Sequence, residues 1–176
     1  MNDRAASEDF VREAYAGLFR WFCRLTGSPD QAADLTQEAF AAFWGSHERA
    51  RAGVSRRTWL YAVGRNVWRK HLRDRKPPGA ELADPIAPCD RSPESMTLGR
   101  EFREAAERAV LELPHDLREA FTLRFWHEFS YDEMGAIQGV SADLARWRFF
   151  AARRRLHRAL AAWDPQGRPT EEDQHA

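Results

Sequence analysis

Residues 129–156 read FSYDEMGAIQGVSADLARWRFFAARRRL, and this stretch decides the fold of the C-terminal half. Ser130 and Glu133 have the spacing of a capping box, in which each side chain accepts a hydrogen bond from the other residue's amide. A short helix is therefore predicted to begin after Ser130 and to end at Gly139, after which Ser141 caps a second helix. A short helix, a glycine turn and a longer helix form the layout of helix-turn-helix DNA readers, whose second helix enters the major groove.

The second helix of this motif is predicted to have two unlike faces. Its apolar face consists of Ala145, Phe149, Ala152 and Leu156, which recur at helical spacing. The opposite face carries arginines, which can bind phosphates or guanine edges, and rings, which can contact thymine methyl groups. This predicted DNA face consists of Arg146, Trp147, Phe150, Arg153 and Arg154. The alternative is an arginine-rich amphipathic helix that lies on the protein surface without binding DNA.

The remainder of the chain also has helical periodicity. Apolar spacing and stop signals predict helices over 10–22, from Asp30 to about Gly45, over 58–75, over 98–113 and over 116–129. Every element predicted in this way is a helix, so the predicted fold class is all-α.

A proline-rich acidic segment divides these helices into two groups. Five prolines and a net negative charge between residues 77 and 99 are typical of a flexible linker. We therefore predict two small helical domains, at 8–76 and 100–163, with a disordered polar tail at 164–176.

Basic residues are concentrated in two blocks, although the net charge of the chain is zero. Residues 49–76 contain ten Lys or Arg and one acidic residue, and residues 146–163 contain six Arg and no acidic residue. Either block alone is equally well explained as a solvated helix face. Two blocks with embedded aromatic residues favour two separate surfaces for nucleic acid.

Other classes of site find no support in the sequence. Cys23 and Cys89 lie far apart and outside metal-ligand spacing, so both are predicted to be free thiols, with no metal site and no disulfide. There is no HExxH motif, phosphate-binding glycine loop or nucleophile elbow, so neither an enzyme nor a cofactor is expected. The N-terminus has no apolar signal core and no segment is long enough to cross a membrane, so a cytoplasmic location is expected.

Five motifs make the chain resemble the extracytoplasmic-function (ECF) sigma factors of the sigma-70 family. LPHDLREAF at 113–121, FSYDEM at 129–134 and GVS at 139–141 are similar to the signatures of sigma region 4. DLTQEAF at 34–40 and WLYAVGRN at 59–66 are similar to those of sigma region 2. The resemblance implies a region 2 helical bundle and a region 4 helix-turn-helix.

The resemblance also implies three binding roles and three partners: core RNA polymerase, promoter DNA and, as in many family members, an anti-sigma factor. The polymerase-binding residues would be Asp34, Gln37 and Glu38. The residues that bind the minus-ten element and open the duplex would be Arg56, Arg57, Trp59, Arg65, Asn66, Arg69, Lys70 and Arg73. Arg148 matches a family arginine and joins the face that would read the minus-thirty-five element. Within this set Asn66 is suited to hold a flipped base, whereas Trp59 is equally suited to the core and to base stacking.

The helix-turn-helix departs from the family pattern at several positions, including Asp143-Leu144-Ala145 in place of Gly-Thr-Val. Trp147 replaces a small polar residue and Ala151 replaces an arginine, so we expect an altered minus-thirty-five preference. Arginine at position 151 would then raise DNA affinity. Gly135 stands where the family prefers alanine and is expected to weaken its helix by about 1 kcal/mol.

Two other classes of function compete with a sigma factor. A non-initiating helix-turn-helix regulator would account for 129–156 but would leave the basic helix with WLYAVGRN unexplained. A polymerase-binding adaptor made only of helices is the second alternative.

Overall fold

A computed structural model describes residues 2–45, 53–74 and 100–161, with side chains placed from Phe10 onward and from Phe102 onward. These residues form helices and the turns between them, which confirms the all-α class. In chain order the helices are α1 Asn2–Thr26, α2 Pro29–Gly45, α3 Arg56–Asp74, α4 Arg100–Leu111, α5 His115–Phe125, α6 Tyr131–Gln138 and α7 Ala142–Ala159. The predicted linker, the predicted tail and Cys89 lie outside the described residues.

Several helix boundaries differ from their predicted positions, and α1 extends beyond the predicted range 10–22 at both ends. The start of α2 is capped by Ser28, whose hydroxyl accepts a hydrogen bond from the Gln31 amide at 3.4 Å, and not by Asp30. Helix α5 ends at Phe125, four residues early, and the chain reverses at Glu128. Glu128 has a φ of 55°, a left-handed conformation that a continuing helix does not contain.

The predicted helix-turn-helix is present, with its local hydrogen bonds. The Glu133 amide donates to the Ser130 hydroxyl at 3.3 Å, and the Ser130 amide donates to the Glu133 carboxylate at 2.9 Å. Gly139 ends α6 in the left-handed conformation, with φ 64° and ψ 38°. The Ser141 hydroxyl then accepts from the Leu144 amide at 3.2 Å and caps α7. Short-range chemistry therefore fixes both ends of the turn.

Gly135 allows the turn to pack closely against α6. A Cβ atom at this position would lie 2.9 Å from the carbonyl oxygen of Val140 and 3.2 Å from the amide of Ala142. Both atoms belong to the backbone, which cannot move away as a flexible side chain can. The glycine, expected from helix propensity to be a weakness, is therefore required by packing.

We expect Gly135→Ala to lower the free energy of unfolding by about 1–3 kcal/mol, because overpacking outweighs the gain of about 1 kcal/mol in helix propensity. Gly45→Ala is the control, since nothing lies within 4 Å of the added Cβ there. Urea unfolding followed by circular dichroism measures both variants. A Gly135→Ala protein as stable as Gly45→Ala would contradict the packing argument.

Helices α1 to α3 form an aromatic core. Leu18, Trp21 and Phe22 of α1 are fully buried, and they pack with the buried residues Phe43 of α2 and Tyr61 of α3. The ring centroids of Trp21 and Tyr61 lie 5.2 Å apart. At this separation an aromatic pair stabilises the core beyond the contribution of its buried surface area.

This core continues into the C-terminal half. Phe129, Met134 and Ala145 belong to the same apolar cluster as the residues of α1 to α3. The ring centroid of Phe129 lies 4.8 Å from that of Tyr61, in an edge-to-face arrangement. The two helical groups predicted from the sequence are present, but in this structure they share one core. A second cluster, which includes Leu156, holds α4, α5 and α7 together.

Candidate nucleic-acid and protein interfaces

An exposed polar face on α2 contains the three residues predicted to bind polymerase. Asp34, Gln37 and Glu38 are exposed, while Leu35 and Ala39 on the opposite face are buried. Lys70 Nζ of α3 lies 3.3 Å from a carboxylate oxygen of Glu38 and forms an ion pair with it, and both side chains are more than half exposed. Because the apolar face of α2 packs in the core, its polar face stays exposed and accessible to a partner.

The predicted minus-ten residues of α3 divide into two groups, the first of which faces solvent. Arg56, Asn66, Lys70 and Arg73 are exposed. The guanidinium of Arg56 lies 4.6 Å from the ring centroid of Phe10, a cation–π contact. This exposed group can meet phosphates or unstacked bases.

The second group, Arg57, Arg65 and Arg69, contacts the C-terminal half instead. Arg65 Nε and Arg69 Nε donate to the two carboxylate oxygens of Glu119, at 2.8 and 2.9 Å. Arg69 also pairs with Asp116. Arg57 donates to the carbonyl oxygen of His127 at 2.7 Å. In this arrangement three of the predicted DNA ligands contact protein groups, although Arg57 remains exposed.

Trp59 is half-buried and packs against the core, and its indole nitrogen is buried with no hydrogen-bond partner in the described residues. Of its two predicted roles, this position favours the core over a stacking platform. Trp68 is 2% exposed and stacks on His71, so it is not available to a base.

The predicted DNA face of α7 is exposed at most of its positions. Trp147 is 58% exposed and Phe150 is 40% exposed, and Arg146, Arg153 and Arg154 are also exposed. The ring of Trp147 is therefore accessible to a partner and is not part of the core. The guanidinium of Arg146 lies 5.8 Å from the ring centroid of Phe150, so charge and aromatic surface are adjacent on this face.

Two positions of α7 differ from their predicted surroundings. Arg148 is largely buried and donates to the Asp116 carboxylate at 3.0 Å, which gives it a structural contact inside the C-terminal half. Ala151 is 9% exposed and belongs to the cluster between α4, α5 and α7. The expectation that Arg at position 151 raises DNA affinity is therefore wrong, because this position faces the interior and an arginine there would disrupt packing.

Three polar residues of the C-terminal half were not singled out by the sequence reasoning. Glu119 is fully buried, and Arg118 and His127 are less than a tenth exposed. Periodicity gave no signal for Arg118 and Glu119, because residues one and two positions after Leu117 lie off the face that Leu117 shares with Ala120. Buried charges are rare unless they are paired, and both residues have their partners elsewhere in the fold.

Burial changes the protonation behaviour of two groups at this junction. It lowers the pKa of His127 to about 3, with nearby arginines acting in the same direction. It raises the pKa of Tyr61 to about 12, against the opposing effect of Arg57. With these pKa values both groups are neutral at pH 7. Tyr61 Oη and His127 Nδ1 share a hydrogen bond of 3.0 Å.

Among the described residues no helix is long and apolar enough to cross a bilayer. Within those same ranges, no group of three or more His, Cys, Asp or Glu residues is arranged to hold a metal ion.

Comparison with known proteins gives consistent matches over both halves. The family Sigma-70 region 2 matches residues 10–77, and the family Sigma-70, region 4 matches residues 103–162. The RNA polymerase sigma-H factor of Pseudomonas aeruginosa is 29% identical over 169 residues, which cover 90% of this chain and 88% of that protein. The ECF RNA polymerase sigma-E factor of Escherichia coli is 32% identical over 131 residues, which cover 68% of this chain and 69% of that protein.

Solved structures show the same fold. The sigma factor RpoE of Bartonella quintana, in complex with the anti-sigma factor NepR, has a TM-score of 0.73 and 24% identity, covering 88% of this chain and 96% of that one. CnrH in complex with the cytosolic domain of CnrY has a TM-score of 0.61 and 23% identity, covering 92% and 90%. With both regions matched in order, the chain belongs to the extracytoplasmic-function sigma factors of the sigma-70 family, which act in transcription initiation.

Proposed function

We propose that this protein binds core RNA polymerase, directs it to promoter DNA and promotes strand opening. The observation that carries the proposal is the exposed polar face on α2 together with the exposed arginine and aromatic face on α7. By this proposal the protein acts by binding, without catalysis or a cofactor of its own, in the cytoplasm beside the polymerase. The proposed architecture has two domains, joined by a linker and followed by a tail. The domains span 8–76 and 100–163, the linker spans 77–99 and the tail spans 164–176.

Transcription from fragmented genomic DNA with purified core polymerase tests this function. A sigma factor makes core polymerase initiate at defined sites, which appear as transcripts with fixed starts. DNA binding without initiation would indicate a helix-turn-helix regulator. Polymerase binding without initiation would indicate an adaptor.

We expect charge reversal on the α2 face to weaken binding to core polymerase. Asp34→Lys with Glu38→Lys replaces exposed carboxylates that would pair with basic groups on the polymerase. Losing charge-assisted hydrogen bonds of about 1.5–3 kcal/mol each predicts an affinity at least about tenfold lower. A pull-down with core polymerase measures it, with circular dichroism as the check on folding.

The matched control is Glu13→Lys with Glu112→Lys, which makes the same charge change at exposed positions away from α2. Equal loss of affinity in both double variants would show a general charge effect and would contradict a specific α2 contact.

For strand opening, the proposal assigns Asn66 to a flipped base of the minus-ten element and Lys70 and Arg73 to the adjacent phosphates. All three side chains are exposed on α3. An amide side chain offers both a donor and an acceptor to a base edge, whereas the two cations are suited to backbone charge. Arg65 and Arg69 extend this phosphate track once their contacts with Glu119 are released.

For the minus-thirty-five element, we expect Trp147→Ser to change the preferred DNA sequence. Trp147 projects from the DNA-facing side of α7 and can contact a thymine methyl group, which serine cannot. Selection of binding sites from random DNA, run with wild type and variant, measures the preference. Identical selected sequences would show that the ring does not read DNA.

The proposal includes an anti-sigma factor as a third partner. The sigma factor RpoE of Bartonella quintana was solved in complex with the anti-sigma factor NepR, and CnrH, which has this fold, was solved in complex with the cytosolic domain of CnrY. Exposed rings at Phe125 and Trp126 offer apolar area outside the predicted DNA face.

A further inference from the structure

A buried carboxylate joins the two halves of the protein. Glu119 of α5 is 0% exposed, and its two oxygens accept from Arg65 and Arg69 of α3. Asp116, one turn earlier, accepts from Arg69 and also from Arg148 of α7. The two carboxylates thus bind the arginine side chains. Guanidinium groups bind carboxylate oxygens and phosphate oxygens with the same geometry, so these carboxylates occupy the positions that DNA phosphates would take.

Further hydrogen bonds support the same junction. The indole nitrogen of Trp21 donates to the Thr122 hydroxyl at 2.9 Å, and both residues are fully buried. Arg118 donates to the carbonyl oxygen of Leu25, the last turn of α1, at 2.6 Å. The junction is therefore a packed interface, with polar pairs that are satisfied only when the halves are together.

We propose that this closed arrangement weakens the protein's own binding to single-stranded DNA, with Glu119 and Asp116 holding Arg65 and Arg69 in place of phosphate. The inference rests on the proposed role of Arg65 and Arg69 in minus-ten binding. A DNA phosphate reaches these arginines only after it displaces a carboxylate that is already buried and doubly bonded. Separation of the halves removes both carboxylates together, because Asp116 and Glu119 lie on one helix.

The closed arrangement inhibits the two DNA surfaces unequally. Trp147 and Arg154 of α7 stay exposed while Arg65 and Arg69 are covered. The closed protein can therefore meet duplex DNA through α7, whereas phosphate contact by Arg65 and Arg69 of α3 requires opening.

Two variants open the junction by different chemistry. Glu119→Gln removes the charge that pairs with the arginines, and Thr122→Val removes the acceptor for Trp21 without changing charge or side-chain size. Glu112→Gln is the matched control, because Glu112 is exposed on the same half and the substitution makes the same charge change as at Glu119. Small-angle X-ray scattering of the full chain reports the radius of gyration of each protein, and circular dichroism checks its helix content.

Binding of a fluorescent 20-nucleotide oligodeoxythymidine, without polymerase, is the functional measurement. Apparent affinity scales with the fraction of competent molecules, so a wild type that is about 10% open gains up to about tenfold on full opening. We expect both junction variants to have a larger radius of gyration and tighter oligonucleotide binding, and Glu112→Gln to match the wild type.

Tighter binding by Glu119→Gln alone, with no change in size, would overturn the inference and leave only a local charge effect. Unchanged size and unchanged binding in both junction variants would also overturn it. The scattering and oligonucleotide measurements use no polymerase, so they are independent of the initiation assay. A protein that opens as expected but does not initiate transcription contradicts the proposed function and not the closed arrangement.

Discussion

Replacing Arg118 with methionine is expected to lower the free energy of unfolding by about 3–5 kcal/mol, the range for breaking a buried charged network by removing one partner. The Arg118 guanidinium donates to the carbonyl oxygens of Leu25 at 2.6 Å and of Leu113 at 3.1 Å, and also to that of Leu111. Methionine fills part of the volume but donates no hydrogen bond. Three carbonyl acceptors then lose this donor, two of them in buried and one in part-buried hydrogen bonds, and each buried group left unsatisfied costs about 1–3 kcal/mol.

Urea unfolding measures the loss, and Arg108→Met is the control because Arg108 is exposed on α4. Burial lowers the pKa of Arg118 to about 10, so the side chain remains charged at pH 7 and keeps its donors. Equal stability of the Arg118 and Arg108 variants would show that the carbonyl contacts contribute nothing. Arg118→Lys should recover only part of the loss, since an ammonium cannot span three acceptors as a planar guanidinium does.

Acidification is expected to destabilise the protein through His127. The pKa of this group is about 3 in the folded state, against the ordinary value of 6.5. Between these values the unfolded chain binds a proton that the folded protein excludes, so stability falls as pH falls below 6.5. At 1.36 kcal/mol per pH unit, two units of acidification below 6.5 cost about 2–3 kcal/mol.

The comparison that isolates this effect is His127→Gln, which keeps a polar partner for Tyr61 but does not titrate. The free energy of unfolding, measured from pH 7 to 4.5, should fall less steeply for His127→Gln than for the wild type. His157→Gln, at an exposed position on α7, should follow the wild type. Parallel pH profiles for all three proteins would exclude His127 as the source.

Local chemistry made the helix-turn-helix predictable from sequence. The capping box, the left-handed Gly139 and the second cap at Ser141 each involve residues within five positions of one another. The packing role of Gly135 was missed because propensity describes an isolated helix and not the turn that folds back on it.

The junction between the halves was not predictable in the same way. Its pairs are distant in the chain: Trp21 and Thr122 are separated by 101 positions, and Arg65 and Glu119 by 54. Sequence periodicity reports which face of a helix is apolar but does not name the helix it meets. For the same reason Ala151, placed on the DNA face by comparison with the family, instead lies against α4 and α5.

One hydrogen bond across the junction links the starts of two helices. Glu133, which caps α6, also accepts from the Thr58 hydroxyl at the start of α3, at 3.1 Å. Thr58 has a second partner in Ser55, whose hydroxyl also accepts from the Thr58 amide at 3.0 Å. Each helix start therefore remains capped when this bond breaks. Opening of the junction, as proposed above, would therefore uncap neither α3 nor α6.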